Sequence, residues 1–124
     1  MVLRRVVGPV LIGLLAIGGY AIYIKAINNF HAIVPGVAYR SAQIDAASIQ
    51  TYVERHGIRS IVNLRGAHPG DPWYDEEAAA ARQHGLALFD FPISGTRLLS
   101  DERTRELVAV LEQAPLPVLI HCES

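Results

Sequence analysis

The chemistry-bearing residues of this chain cluster at strand ends. Cys122 is its only cysteine and follows directly on Leu116-Pro117-Val118-Leu119-Ile120-His121. Three branched apolar residues in a row, Val118 to Ile120, read as a short strand buried on both faces. A strand that delivers a cysteine to its C-terminal end puts it where an open α/β sheet gathers ligands. The reactive form is the thiolate, and a free thiol has a pKa of about 8.5. Inward-pointing N–H groups of a following turn and helix would bind a phosphate there and lower that pKa. The plainer reading of a lone cysteine is a small buried hydrophobe. His121 alternates with Cys122, so the two side chains should face opposite sides, and the histidine is a poor proton acceptor for the thiol. Arg65 ends another apolar strand, Ile58 to Leu64, on the same ligand-gathering side. It suits contact with an anionic substrate; a surface ion pair is the other reading.

The segments that must position these residues alternate in kind. Val37 to Arg40 reads as a short strand, followed by a loop and a helix from Ala46 to His56. Asp45 is its expected N-cap, Ile49, Tyr52 and Val53 its apolar face, and Gly57 its left-handed stop. Asp71-Pro72 opens a second helix over Trp73 to His84, with Asp71 as a capping acid and Gly85 as its stop. Leu86 to Phe91 is a strand. Ser100 or Asp101 caps a third helix, Glu102 to Ala114, whose buried stripe is read as Leu107, Val108 and Leu111. Pro115 ends it and Leu116 opens the last strand. The order β-α-β-α-β-α-β predicts an α/β fold with a mostly parallel central sheet flanked by helices.

The N-terminus is of another kind. Met1 to Arg5 is a short basic head, and Val6 to Ile24 carries no charge. At about 1.5 Å per residue that run spans roughly 28 Å, close to the hydrocarbon thickness of a bilayer. Tyr20, Tyr23 and Lys25 sit at its far end, as interface residues do. Residues 1–25 are therefore read as a membrane anchor, with lipid contact through residues 6–24. The alternative is a cleaved signal peptide, for which Gly19-Tyr20-Ala21 is a passable site. Residues 26–36 read as a linker and residues 37–124 as the domain. Arg4 and Arg5 outweigh Lys25, which keeps the N-terminus cytoplasmic and puts the domain outside; cleavage would instead release it to the periplasm or beyond. The net charge of −1 argues against a nucleic-acid partner. The lone cysteine excludes an internal disulfide, and the five histidines lack metal-ligand spacing, so neither metal nor other cofactor is expected.

Pro117-Val118-Leu119-Ile120-His121-Cys122 resembles the start of the signature loop, His-Cys-x5-Arg, of the cysteine-dependent protein phosphatases. Two further pieces are similar to the small dual-specificity-like members: Val37-Ala38-Tyr39-Arg40-Ser41-Ala42-Gln43 and Gly57-Ile58-Arg59-Ser60-Ile61-Val62-Asn63-Leu64-Arg65. The resemblance covers about residues 30–124, and the signature arginine would fall beyond Ser124. It implies metal-free hydrolysis of a phosphate monoester through a cysteinyl-phosphate, on a phosphorylated protein or a small phosphate. Cys122 would be the nucleophile. Asp90, near the end of the preceding strand as the acid is in several members, would protonate the leaving oxygen. A solvent-facing or turn-capping role is the alternative for Asp90, and Asp101 is the competing acid, better employed as a helix cap. The resemblance gives His121 a supporting role through hydrogen bonds. Arg40 would bond carboxylates or carbonyls under the active loop. With the signature loop cut, the domain reads as incomplete and the chain as given is expected to be inactive. The alternatives are a non-catalytic anchored pseudophosphatase or interaction module, and a rhodanese-like sulfur carrier, which the Tyr-Arg-Ser and Asn-Leu-Arg segments disfavour.

Overall fold

A computed structural model describes residues 2–123. Met1 and Ser124 lie outside the described residues, as do the side chains of residues 2–5 and so of the basic head.

Helix α1 runs from Val2 to Ala26. Its Val6–Ala26 stretch has a mean hydropathy of 2.0, and none of its most apolar window is buried in the protein. An exposed helix with no polar face is stable in lipid rather than water, and this one is long and apolar enough to cross a bilayer. Asn28 and Asn29 end it with φ of 51° and 50°, a conformation asparagine tolerates better than most residues.

The domain follows at once. Its strands are β1 (His31–Val34), β2 (Ala38–Ser41), β3 (Ser60–Asn63), β4 (Ala87–Asp90) and β5 (Val118–His121); its helices are α2 (Ala46–His56), α3 (Pro72–Gln83) and α4 (Asp101–Gln113). They form one mixed sheet of order β1-β2-β5-β3-β4, antiparallel between β1 and β2 and parallel elsewhere. Segment 26–36 is therefore more than a linker. It contributes β1 to the sheet edge, and Phe30 stacks on Tyr52 with ring centroids 4.2 Å apart. Ala42 N–H also donates to Asn28 O at 2.7 Å. β1 is defined by its antiparallel pairing with β2, not by an apolar pattern of its own.

The two faces of the sheet follow from strand alternation. Tyr39, Leu119 and Ile61 point to the side covered by α2 and α3, where they meet Ile49, Tyr52, Ala80 and Ala81. Val118 and Val62 point to the other side, against Ala114 and the half-buried Val110 and Leu111 of α4. The α4 stripe is shifted from the expected one. Val110, three residues after Leu107, packs inward, while Val108 is 48% exposed.

The caps are mostly as their residues suggest. Asp45 accepts from Ser48 N–H at 2.8 Å, and hydrogen bonds from Ser48 hold its carboxyl below the ordinary carboxylate range. Gly57 is left-handed, with φ of 65°. Ser100, not Asp101, caps α4, accepting from Arg103 N–H. At α3 proline occupies the first turn, but the Asp71 carboxylate makes no capping bond. It lies 3.6 Å from His68 Nδ1 instead.

Candidate active site

Parallel pairing puts four residues in one row at the C-terminal edge of the sheet. Ser41 is in register with His121, His121 with Asn63, and Asn63 with Asp90. By alternation all four belong to the α2–α3 side. Cys122 follows the central strand of this row and is half-buried. Asp90 lies two strands away, roughly 10 Å at the usual strand spacing.

His121 is buried and turned to α3. Its Nε2 lies 2.9 Å from Glu77 Oε1, and both side chains are fully buried. Its Nδ1 lies 3.3 Å from the carbonyl oxygen of Cys122. Glu77 Oε2 accepts from Gln43 Nε2 at 3.1 Å, and Gln43 Oε1 accepts from Arg65 Nη1 at 2.8 Å. Arg65 is more than an exposed ion-pairing residue. Its guanidinium lies 3.8 Å from the centre of the Trp73 ring, and its Nη2 is 3.7 Å from Glu123, the residue after Cys122. The structure thus brings Arg65 and the Cys122 segment together through protein contacts.

Asp90 is held on the same edge. Its Oδ1 accepts from Asn63 Nδ2 at 2.9 Å and its Oδ2 from the Tyr74 hydroxyl at 2.6 Å. Tyr74 is thereby made a weaker acid, pushed up to about 12, first by its bond to Asp90 and then by burial. Asn63 is fully buried; its Nδ2 also donates to Gly66 O at 2.9 Å, and its Oδ1 accepts from Arg65 N–H at 2.9 Å. The turn it closes needs glycine. Gly66 has φ of 85°, and a Cβ there would come within 2.8 Å of Pro92.

Glu77, Gln43, Asn63 and Tyr74 are the site-edge residues that apolar patterning passes over. Glu77 had one legible signal: a carboxylate spaced four residues from both Trp73 and Ala81, inside the stripe that α3 buries. Arg40 departs from expectation. It is exposed and its side chain makes no hydrogen bond among the described residues, because its register puts it on the face opposite this network. Ser41 Oγ is buried with no hydrogen-bond partner among the described residues. No cluster of three or more His, Cys, Asp or Glu suited to a metal ion occurs among the described residues.

A groove of about 660 Å³ runs from the last turns of α1, at Tyr20, Ile24 and Lys25, to Gln43 and Glu123. The edge of the sheet that carries Cys122 therefore lies beside the end of the apolar helix.

Fold and edge together define an α/β domain of phosphatase-like architecture, with its cysteine at the end of the central strand. No protein-family model matches the chain. Known proteins do. An inositol diphosphatase, DSP1, of Oryza sativa subsp. japonica is 35% identical over 100 residues, covering 77% of this chain and 42% of that protein. A beta-lactamase hydrolase-like protein of Xylella fastidiosa is 40% identical over 74 residues, covering 56% of this chain and 16% of that protein. Among solved structures, the core catalytic domain of the PP-IP phosphatase SIW14 from S. cerevisiae matches with a TM-score of 0.60 at 29% identity. The match covers 76% of this chain and 55% of that one. The chain spans less than half the length of the curated relatives it matches.

Proposed function

We propose that this chain is the N-terminal part of a membrane-anchored phosphatase that hydrolyses phosphate monoesters through a cysteinyl-phosphate on Cys122. The observation that carries the reading is Cys122 itself, delivered by the central parallel strand of a fold similar to a PP-IP phosphatase domain. The Cys122 thiolate attacks phosphorus and the ester oxygen leaves with a proton; water then cleaves the S–P bond. Asp90 is the proposed acid. Both its oxygens accept one hydrogen bond each, and each keeps a second lone pair that can carry a proton toward a leaving oxygen. The Tyr74 hydroxyl can also rotate to accept, which an amide donor cannot do. Arg65 is the proposed contact for substrate anion, with its guanidinium already aimed by Trp73 and Gln43. The substrate class is a phosphorylated protein or a small phosphate.

Residues 1–25 are the proposed anchor and residues 37–124 the proposed domain part, joined by a segment that packs on the domain. In this reading the N-terminus is cytoplasmic and the domain lies outside. In the resemblance an arginine six residues after the cysteine holds the phosphate. The test is hydrolysis of an aryl phosphate by this polypeptide and by a longer chain that includes such an arginine, each with and without Cys122→Ser. Activity in the longer chain that is abolished by Cys122→Ser supports the reading. Activity that survives Cys122→Ser rejects it, and a fully inactive longer chain favours a pseudophosphatase that binds without turnover.

A further inference from the structure

The hydrogen-bonded path from Arg65 to Cys122 has its polarity fixed at both ends. An arginine can only donate, so the Gln43 atom facing Arg65 Nη1 at 2.8 Å is its oxygen. Gln43 Nε2 then faces Glu77 Oε2 at 3.1 Å and Ile44 O at 3.1 Å, and both accept from it. At the other end a carbonyl can only accept. His121 Nδ1, 3.3 Å from Cys122 O, must therefore carry a proton. Between the ends, Glu77 Oε1 and His121 Nε2 lie 2.9 Å apart with no exposure, and that contact also needs a proton. Two protons on a carboxyl and an imidazole leave the pair with no net charge, whether it is an ion pair or two neutral groups. A buried pair of that kind escapes the cost of an uncompensated charge.

We propose that Glu77 is a positioning residue: it holds His121 in the state whose Nδ1–H grips the Cys122 carbonyl, and through Gln43 it ties that grip to Arg65. Its kinetic consequence rests on the reading of Cys122 as nucleophile; its protonation consequence does not. The carboxylate is specific about its replacement. In Glu77→Gln the amide N–H donates to Nε2 and the amide oxygen accepts from Gln43, so each contact keeps a workable polarity and Nδ1 keeps its proton. In Glu77→Leu His121 Nε2 loses its partner and Gln43 Nε2 keeps only Ile44 O, so nothing at Nε2 holds the ring in that state.

The experiment is nitrogen NMR of the His121 ring in the full-length protein, with kinetics on an aryl phosphate. A protonated Nδ1 is expected in the unmodified protein and in Glu77→Gln, with Nε2 a bare acceptor in the latter. A bare Nδ1 in the unmodified protein would overturn the proposal without any variant, so a Glu77→Leu chain that fails to fold cannot shelter it. Glu77→Gln should keep kcat within about threefold, while Glu77→Leu should lower kcat by about tenfold or more with KM little changed. Equal kcat in all three proteins would overturn it as well. If no form of the protein hydrolyses phosphate, the phosphatase reading fails, and the ring nitrogens still decide the fate of the positioning role.

Discussion

Asn63 and Asp90 sit side by side across the parallel β3–β4 ladder, and the Asn63 amide donates to the Asp90 carboxylate at 2.9 Å. This bond fixes where the proposed acid can reach. Asp90→Asn is well suited to test that acid because it keeps the geometry: the new amide oxygen faces Asn63, and the new N–H faces a Tyr74 hydroxyl that can turn to accept. Turnover of alkyl phosphates, whose leaving groups need a proton, should fall by about a hundredfold or more. Aryl phosphates with good leaving groups should be much less affected. Equal loss on both substrates would mean misplacement, and no loss on either would move the role to Asp101 or a water.

Tyr74 reports on the same carboxylate from the other side. Its bond to Asp90 lifts its pKa to about 12, whereas an unfolded tyrosine ionises near 10. Between those values the unfolded chain binds fewer protons than the folded one, so stability falls as pH rises. The contribution is fully present below about pH 10 and is lost as pH rises through about 12. The residue is half-buried, and solvent screening keeps the effect small. Burial also raises the Tyr52 hydroxyl, so phenolate absorbance should show two late tyrosines, and the component near 12 should vanish in Tyr74→Phe and weaken in Asp90→Asn. A component near 12 that survives Tyr74→Phe would assign that shift to another tyrosine.

These two residues also mark what local patterns can reveal. Asp90 is visible at a strand end, and Asp45, Gly57 and Pro72 are visible as caps and stops, because each acts on its immediate neighbours. The apolar runs Val118–Ile120 and Ile61–Val62 are legible as buried strands for the same reason. The partners of Asp90 are not legible, since Tyr74 and Asn63 meet it only after β3 and β4 pair and α3 lies over them. Glu77 is the sharper case. In the sequence it belongs to an acidic start of α3, and it becomes a buried hydrogen-bonding hub only because His121 and Gln43 converge on it from distant segments. The α4 stripe went astray by a small margin: Val108 and Val110 are both apolar, and only the packing against Val118 and Val62 chooses between them.

Membrane orientation has its own test. Positive charge flanking the N-terminal end of α1 predicts a cytoplasmic N-terminus. Reporter fusions after Ile33 should give alkaline-phosphatase activity outside the cytoplasm and no fluorescence from an exported fluorescent protein. The opposite pattern would reverse the assignment. A shortened soluble product would favour the signal-peptide alternative.

Asn63→Asp should be among the most damaging single changes in the domain. The residue is fully buried, and its amide nitrogen serves two acceptors, Gly66 O and Asp90 Oδ1. An aspartate keeps the bond from Arg65 N–H but turns an oxygen toward both of those acceptors. Two lost bonds and a buried charge facing a carboxylate should cost about 3 kcal/mol or more. The pairing with Asp90 can be restored by exchanging the two residues. In Asn63→Asp with Asp90→Asn, the amide of residue 90 donates back to residue 63, so the double variant should be more stable than Asn63→Asp alone. It should remain below the unmodified chain, because Gly66 O still lacks its donor. Urea denaturation of the four proteins closes the cycle, and a coupling of about 1 kcal/mol or more is expected for residues in direct contact. Strict additivity would show that the cross-strand bond does not hold Asp90, and the placement of the proposed acid would lose its support.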